Sequence, residues 1–258
     1  MTAPTPTAAP QPPPRRVQLL ATCLIETLRP QAGLAVVEVL ESLGLAVDYP
    51  PGQTCCGQPA FNGGLWNDAR AMARHTLAVL GRSDAPVVVP SGSCAAMIRR
   101  HYPELLASDA VYGPLAQAVA ARTYEFSEFL VDVLGVTCLE RRGSATAHTR
   151  RVAYHPSCHL TRELGVAEQP RRLLTAAPGV AVVELPRAEE CCGFGGLFAV
   201  KMGAISAAML ERKLDAIEQS GADAVVGCDA SCLLHIAGGL HRRGSRVATL
   251  HLAEALVP

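Results

Sequence analysis

Eight of the ten cysteines in this 258-residue chain follow a spacing pattern that occurs twice. Each copy has a single cysteine, a Cys-Cys-Gly triplet 32 or 33 residues later, and one further cysteine; corresponding cysteines lie 135 to 138 residues apart. The first copy consists of Cys23, Cys55, Cys56 and Cys94, and the second of Cys158, Cys191, Cys192 and Cys232. The flanking sequences agree too, since PSGSCAAMI at 90–98 parallels CDASCLLHI at 228–236. An internal repeat of this length predicts two similar domains.

The repeat and the local composition together divide the chain. The first 14 residues hold six prolines among Thr, Ala and Gln, a composition that cannot form a core and predicts a disordered tail. A stretch rich in Arg, Ser, Thr and Ala separates the two copies and is typical of a linker. We therefore predict a proline-rich tail at 1–16, a first repeat domain at 17–140, a linker at 141–151 and a second repeat domain at 152–258.

Each repeat is predicted to alternate strands with helices. Short apolar runs precede the cysteines, and stretches with helical spacing of apolar residues lie between them. The predicted strands are Val17–Leu20, Leu45–Val47, Val87–Val89, Val152–Tyr154, Val180–Leu185 and Ala224–Val226. The predicted helices are Leu34–Leu43, Asn67–Leu80 and Ala204–Gln219, with Gly44, Gly81 and Gly221 as C-caps. This pattern predicts an α/β fold of two similar domains, each a parallel sheet flanked by helices, with the cysteine loops at the carboxyl ends of the strands.

The overall charge and hydropathy narrow the class of function. Lys plus Arg equal Asp plus Glu at 23 each, so no basic surface favours nucleic acid. The sequence has no apolar run of the length that a membrane helix needs, and no secretory signal. We therefore expect no nucleic acid, no membrane insertion and a cytoplasmic location. In that reducing compartment a framework of five disulfides is disfavoured, and the cysteines need another use.

Adjacent cysteines indicate which metal chemistry fits. Consecutive Cα atoms are about 3.8 Å apart, which crowds two ligands of one tetrahedral zinc ion but suits neighbouring irons of one cluster. Structural zinc sites favour paired C-x2–4-C spacings, and only Cys228 and Cys232 approach one. Iron–sulfur clusters, one per repeat and of 4Fe-4S type, are the favoured interpretation, with zinc or inert buried cysteines as alternatives. The eight repeated cysteines are the predicted metal ligands.

Several residues near these cysteines remain open in role. Cys228 gives the second repeat a fifth thiol without a counterpart, and we expect it to be a secondary ligand that also contributes to binding the cofactor. His155 and His159 flank Cys158 and could each ligate iron, hydrogen-bond a cluster, or shape the loop. Cys138 has no counterpart in the second copy and is interpreted as structural. No catalytic acid–base residues can be assigned, and the absence of a Gly-x-Gly-x-x-Gly turn disfavours dinucleotide binding.

The twofold pattern resembles the tandem cysteine-rich CCG domain of three groups of proteins: the CCG-containing subunit of heterodisulfide reductases, glycolate oxidase iron–sulfur subunits and lactate utilisation protein A. The resemblance covers roughly residues 17–257, and HPSCHLTRELG at 155–165 and CCGFGG at 191–196 are among the segments that carry it. The chain is most similar to the short form without an N-terminal ferredoxin module, the form of lactate utilisation protein A. It departs from the C-x2-C ending of heterodisulfide reductases, because Met97 and His235 stand where the last cysteine would be.

The resemblance implies an iron–sulfur electron-transfer subunit of a cytoplasmic complex that oxidises L-lactate to pyruvate without NAD. Its implied partners are two other subunits, at least one of them with further iron–sulfur centres. Two alternatives stay open. The clusters could reduce thiol–disulfide substrates themselves, as in heterodisulfide reductases, or the chain could be a metal-binding assembly module without a redox role.

Overall fold

The structure, a computed structural model, describes residues 14–139 and 149–257. Residues 1–13 of the predicted tail and residues 141–148 of the predicted linker lie outside this part. The first strand begins at Arg16, and the first strand of the second half begins at Arg150.

Each half contains a four-stranded parallel sheet with the same strand order. The first sheet has the order β2-β1-β3-β4, and the second has the order β6-β5-β7-β8. The first sheet consists of β1 (Arg16–Leu19), β2 (Ala46–Asp48), β3 (Val87–Val89) and β4 (Thr123–Glu125). The second consists of β5 (Arg150–His155), β6 (Val180–Val183), β7 (Ala224–Gly227) and β8 (Ala248–His251). The six predicted strands are confirmed within two residues, whereas β4 and β8 were not predicted.

Helices flank both sheets, which confirms the predicted fold class of two similar α/β domains. The first half has α1 (Cys23–Leu28), α2 (Pro30–Ser42), α3 (Gln58–Asn62), α4 (Trp66–Leu80), α5 (Gly92–Ala96), α6 (Tyr102–Leu105), α7 (Tyr112–Ala121) and α8 (Phe126–Glu128). The second half has α9 (Glu168–Ala176), α10 (Leu197–Lys201), α11 (Gly203–Gln219), α12 (Ala230–Arg242) and α13 (Leu252–Leu256). Within the described residues, three π-helical segments follow Ala96, Glu128 and Cys158 and span Met97–His101, Phe129–Val133 and His159–Glu163.

The largest apolar core joins the two halves. The central strands β3 and β7 are buried along their whole length, and side chains from both sheets belong to one continuous cluster, including Val88, Val226 and Leu252. Helix α2 packs against α13 while α8 packs against α9. These two contacts correspond to each other. Helices α2 and α9 come after the strand that is first along the chain in each half, β1 or β5, and helices α8 and α13 come after the strand that is last, β4 or β8. The halves are therefore related by an approximate twofold arrangement.

The length and apolar character of the helices decide whether any of them could cross a membrane. None of the helices in residues 14–139 and 149–257 combines the length and the apolar character that crossing a membrane requires.

Candidate metal centres

The first set of cysteines gathers where three strands of the first sheet end. Cys23 opens α1 just after β1, Cys55 and Cys56 lie in the loop between β2 and α3, and Cys94 is in the first turn of α5 after β3. Because β1, β2 and β3 are parallel, these loops meet at one edge of the sheet. The Sγ atoms of Cys56 and Cys94 are 3.4 Å apart. The loops thus bring cysteines distant in sequence into contact.

The second set repeats this arrangement. Cys158 lies immediately before the π-helical segment His159–Glu163, Cys191 and Cys192 lie between β6 and α10, and Cys232 is in the first turn of α12. The ligand atoms of Cys192, Cys232 and His155 all lie within 4.8 Å of one another. The second set therefore has a nitrogen donor beside its thiols.

The thiols of each set are close enough to shift one another's pKa. Hydrogen bonds from the thiols of Cys23 and Cys56 lower the pKa of Cys55 to about 3. The thiols of Cys158 and Cys192 likewise lower the pKa of Cys191 to about 2. The same hydrogen bonds, together with burial, raise the pKa of the donors Cys23 and Cys158.

Four packed thiols cannot all ionise beside one another unless a cation neutralises them. In each set the pKa of one thiol, Cys55 or Cys191, is lowered, while the pKa values of two of its neighbours are raised. Four thiolates suffice for one iron–sulfur cluster. The donor chemistry of both sets therefore fits a thiolate-bound metal centre.

The glycine after each cysteine pair is required by the backbone and by helix packing. Gly57 and Gly193 have φ values of 85° and 88°, in the left-handed region. A Cβ atom on Gly57 would lie 3.1 Å from the Cβ of Met72, and one on Gly193 would lie 2.6 Å from the backbone oxygen of Ser206. The glycine lets the cysteine pair turn tightly against helix α4 or α11. This explains the glycine in both copies of the triplet.

Helix N-termini supply positive partial charge to both sets. Cys94 and Cys232 are the third residues of α5 and α12, so both lie at helix N-termini, where the helix dipole favours a thiolate. Asp229 caps α12 by accepting a hydrogen bond from the N–H of Ser231 at 3.3 Å. Its other oxygen accepts one from the N–H of Ser93 in the first half at 2.9 Å. One buried carboxylate thus ties the two cysteine-bearing helix starts together.

Both sets of thiols open onto one cavity between the halves. The cavity has a volume of about 610 Å³. All eight repeated cysteines line it, together with residues that include Thr22, His159, Phe194 and Asp229. Two metal centres bound by these thiols would face the same space.

The structure separates Cys228 from the other predicted cofactor-binding cysteines. Its side chain is fully buried in the apolar core and is not among the described residues that line the cavity. Its Sγ lies 3.9 Å from the hydroxyl of Tyr154. The thiol that follows β7 thus lies in the apolar core, and the structure does not bring Cys228 together with the eight cysteines that line the cavity.

The structure also shows the surroundings of the other residues that the sequence singled out. Cys138 is exposed and donates to the carbonyl of Ala176 at 3.2 Å, which fits a structural role. His159 lines the cavity and lies 3.5 Å from the carboxylate of Glu163. His235 has its Nε2 3.3 Å from the hydroxyl of Ser206. Met97 is fully buried in the core.

Two functional candidates escaped the sequence analysis. Lys213 is buried beside the second set and donates to the carbonyls of Arg187 and Ala188. Tyr102 is buried and donates to the carbonyl of Cys56 at 2.7 Å. Neither Lys213 nor Tyr102 can be recognised from the sequence, because a lysine within an amphipathic helix and a tyrosine before a proline are both common.

Burial sets the protonation of His155. Desolvation lowers its pKa to about 3, so the ring is neutral at neutral pH.

Comparison with known proteins gives one family and a group of relatives. A family model described as a cysteine-rich domain, CCG, matches residues 17–99 and 152–237, and each segment contains one of the two cysteine sets. The chain is 46% identical over 241 residues to "Lactate utilization protein A" of Exiguobacterium sp. (strain ATCC BAA-1283 / AT1b), covering 93% of this chain and 96% of that protein. It is 45% identical to proteins of the same name from Macrococcus caseolyticus (strain JCSC5402) and Bacillus pumilus (strain SAFR-032), covering 93% of this chain and 96% and 98% of theirs.

Proposed function

The chain belongs to the cysteine-rich CCG domain family, and from this premise we propose that it is an iron–sulfur electron-transfer subunit of a cytoplasmic, NAD-independent system that oxidises L-lactate to pyruvate. The observation that carries the proposal is the pair of four-thiol sets facing one cavity. The role in lactate oxidation rests on the names of the relatives.

The four proposed thiol ligands of each half correspond to one another. Cys23, Cys55, Cys56 and Cys94 would hold one centre, and Cys158, Cys191, Cys192 and Cys232 would hold the other. Iron–sulfur clusters supply one-electron transfer when bound. The protein's own contribution is to fix the thiols, to provide helix N-termini that favour negative charge, and to bury Cys56 and Cys192 away from water.

Two one-electron centres suit the stoichiometry of the proposed reaction. Oxidation of L-lactate to pyruvate releases two electrons and two protons. Two centres beside one cavity can hold both electrons, while a partner subunit has to remove them from lactate and take up the protons. We therefore propose that the chain acts with two other subunits, at least one of which carries further iron–sulfur centres.

The opening of the cavity is the proposed contact for such a partner. Leu65 and Val200 line the cavity and are also well exposed, so they lie at its opening. Trp66 and Met202, which are exposed as well, follow close behind them in the chain. An apolar rim of this kind is typical of a protein interface, and electrons pass most readily where centres approach closely. Val200→Asp should weaken co-purification with the partner subunits, whereas Val111→Asp, at an exposed site outside the cavity lining, should not.

Metal analysis of anaerobically purified protein tests the central proposal. We expect brown protein with broad absorption near roughly 400 nm from thiolate-bound iron, with iron and acid-labile sulfide in each half. Colourless protein with stoichiometric zinc and no sulfide would instead support a metal-binding assembly module.

A genetic experiment tests the substrate. A strain lacking the gene should fail to grow on L-lactate and grow normally on pyruvate, and the parent gene should restore growth while the Cys56→Ser gene should not. Normal growth of the deletion strain on L-lactate, with no second copy of the gene present, would remove lactate from the proposal.

The shared cavity also favours one second candidate. A disulfide placed between two one-electron centres could receive one electron from each and leave as two thiols after taking up two protons. Turnover of a disulfide with a reduced dye, in the absence of partner subunits, would support this activity. No disulfide turnover by iron-loaded protein would exclude it.

A further inference from the structure

We infer that His155 is a nitrogen ligand of the metal centre in the second half, so that the two centres have different donor sets. The inference rests on the proposed function, because it takes each set of cysteines to hold metal.

The first support is the burial of an imidazole that has no partner. His155 is the last residue of β5 and is 1% exposed. Neither Nδ1 nor Nε2 has a hydrogen-bond partner among the described residues. A buried polar group without a partner is destabilising and rare in native proteins. A metal bound to one ring nitrogen would remove part of that penalty.

The second support is the distance to the thiols. The ligand atoms of His155, Cys192 and Cys232 lie within 4.8 Å of one another. Bonds of about 2.0 Å to nitrogen and 2.3 Å to sulfur place the ligand atoms of one tetrahedral ion roughly 3.5 to 4 Å apart. Small side-chain rotations would therefore let His155 and one of these thiolates bind the same iron of a cluster, as two protein ligands share one iron in a Rieske centre.

The other histidines near this centre are already occupied. His159 lies 3.5 Å from the Glu163 carboxylate, and His235 lies 3.3 Å from the Ser206 hydroxyl. Of the histidines near the second set in the described part of the chain, His155 alone has both ring nitrogens unpaired and buried.

The first half provides the comparison. Gln18 lies opposite Val87 and Val87 opposite Thr123 in the first sheet, while Ala153 lies opposite Val225 and Val225 opposite Thr249 in the second. Two residues beyond Gln18 and Ala153 stand Leu20 and His155. The counterpart of His155 is therefore a buried leucine, which offers no ligand atom.

Nitrogen hyperfine spectroscopy tests the inference directly. Anaerobic protein would be prepared with natural histidine and with ¹⁵N-labelled histidine, reduced, and studied by pulsed EPR. We expect a nitrogen coupling of the size of a direct metal–nitrogen bond that changes with the label. It should be lost in His155→Leu, which copies the residue at position 20, and kept in His159→Gln.

The outcomes separate the inference from the proposed function. Iron and sulfide present in both halves without any labelled nitrogen coupling in the parent protein would overturn the role of His155 and leave the proposed function intact. The same coupling in His155→Leu as in the parent would overturn it too. Parent protein without iron or sulfide would overturn the proposed function instead. If His155→Leu does not fold, the labelled parent protein still decides whether a histidine is bound.

Discussion

The two halves of the molecule have the same sheet order and four corresponding cysteines, yet they differ in the residues that surround those cysteines. Leu20 in the first half corresponds to His155 in the second. Gly57 packs on Met72 and Gly193 on Met209, and four residues further along these helices Thr76 corresponds to Lys213. The second set thus has a buried imidazole and a buried ammonium group where the first has a leucine and a threonine. The repeat preserves the proposed ligands, while their surroundings distinguish the two proposed centres.

The largest expected effect tests whether the two sets are independent. Cys192→Ser should remove the metal of the second half, and Cys56→Ser that of the first, so each variant should keep about half of the iron and sulfide, because each removes one of four thiolates. Iron and sulfide analysis with EPR measures this. Complete loss of iron in either folded variant would mean that both sets hold a single shared centre.

The glycines after the cysteine pairs should tolerate alanine unequally. Gly193→Ala combines a left-handed φ with a 2.6 Å contact to a backbone oxygen, so we expect about 3 kcal/mol or more of lost stability. Gly57→Ala should lose about 1 to 2 kcal/mol, since its nearest contact is 3.1 Å from a side-chain atom. Urea unfolding of both variants measures the difference, and equal losses would contradict it.

Two corresponding helix caps should give opposite pH dependences of stability. Glu125 caps α8 and His251 caps α13, and both are buried. Burial raises the pKa of Glu125 from 4.5 to about 7, so its stabilising contribution is complete below pH 4.5 and is lost as the pH rises through 7. Burial lowers the pKa of His251 from 6.5 to about 4, so its contribution is complete above pH 6.5 and is lost as the pH falls through 4.

Each of these shifts corresponds to about 3 kcal/mol across its window. Relative to the parent, Glu125→Gln should flatten the fall in unfolding free energy between pH 4.5 and 7, and His251→Asn should flatten the rise between pH 4 and 6.5. Urea unfolding at several pH values checks both. An unchanged profile in Glu125→Gln would show that this carboxyl titrates normally in the folded protein.

A smaller effect concerns the electron affinity of the second centre. Lys213→Met removes a buried positive charge and should make that centre harder to reduce, by on the order of 1 kcal/mol. Redox titration monitored by EPR measures the potential of each centre. Lys201→Met, at an exposed lysine, is the matched control and should leave both potentials unchanged. An equal shift of both centres in Lys213→Met would contradict a local effect.

The smallest expected effect is at Cys228. Because its thiol faces Tyr154 in the core, Cys228→Ser should leave the iron content and EPR spectra of both centres unchanged and alter stability by about 1 kcal/mol. A changed spectrum of the second centre would show instead that Cys228 is a ligand.

The sequence predicted the parts of the fold that depend on local pattern. Val87–Val89 forms β3 as predicted because a fully buried parallel strand is an unbroken apolar run. The strands β4 and β8 were missed because Thr123–Glu125 and Ala248–His251 are short, mix polar with apolar residues, and lie at sheet edges. Helix α2 begins at Pro30, four residues before the predicted start, because proline suits the first turn.

The candidate site was predictable only where it repeats. The duplicated spacing was enough to single out the eight cysteines that the structure brings to one cavity. The reach of Asp229 to Ser93 depends on how the two halves pack together. The isolation of the His155 ring depends on how the second half packs around it. Burial of Lys213 depends on the loop that holds Arg187 and Ala188. Packing of this kind leaves no periodic signal in a sequence.

The approximate twofold contact between the halves is that of a symmetric dimer whose two subunits are a single polypeptide. In a dimer of identical chains every substitution occurs twice, so its two sites are bound to stay alike. Within one chain, a histidine or a lysine can be introduced beside one centre and left out beside the other. For the proposed function, joining the two units in one chain allows two equivalent frameworks to hold two centres of unequal electron affinity, which would give an electron a direction in which to move.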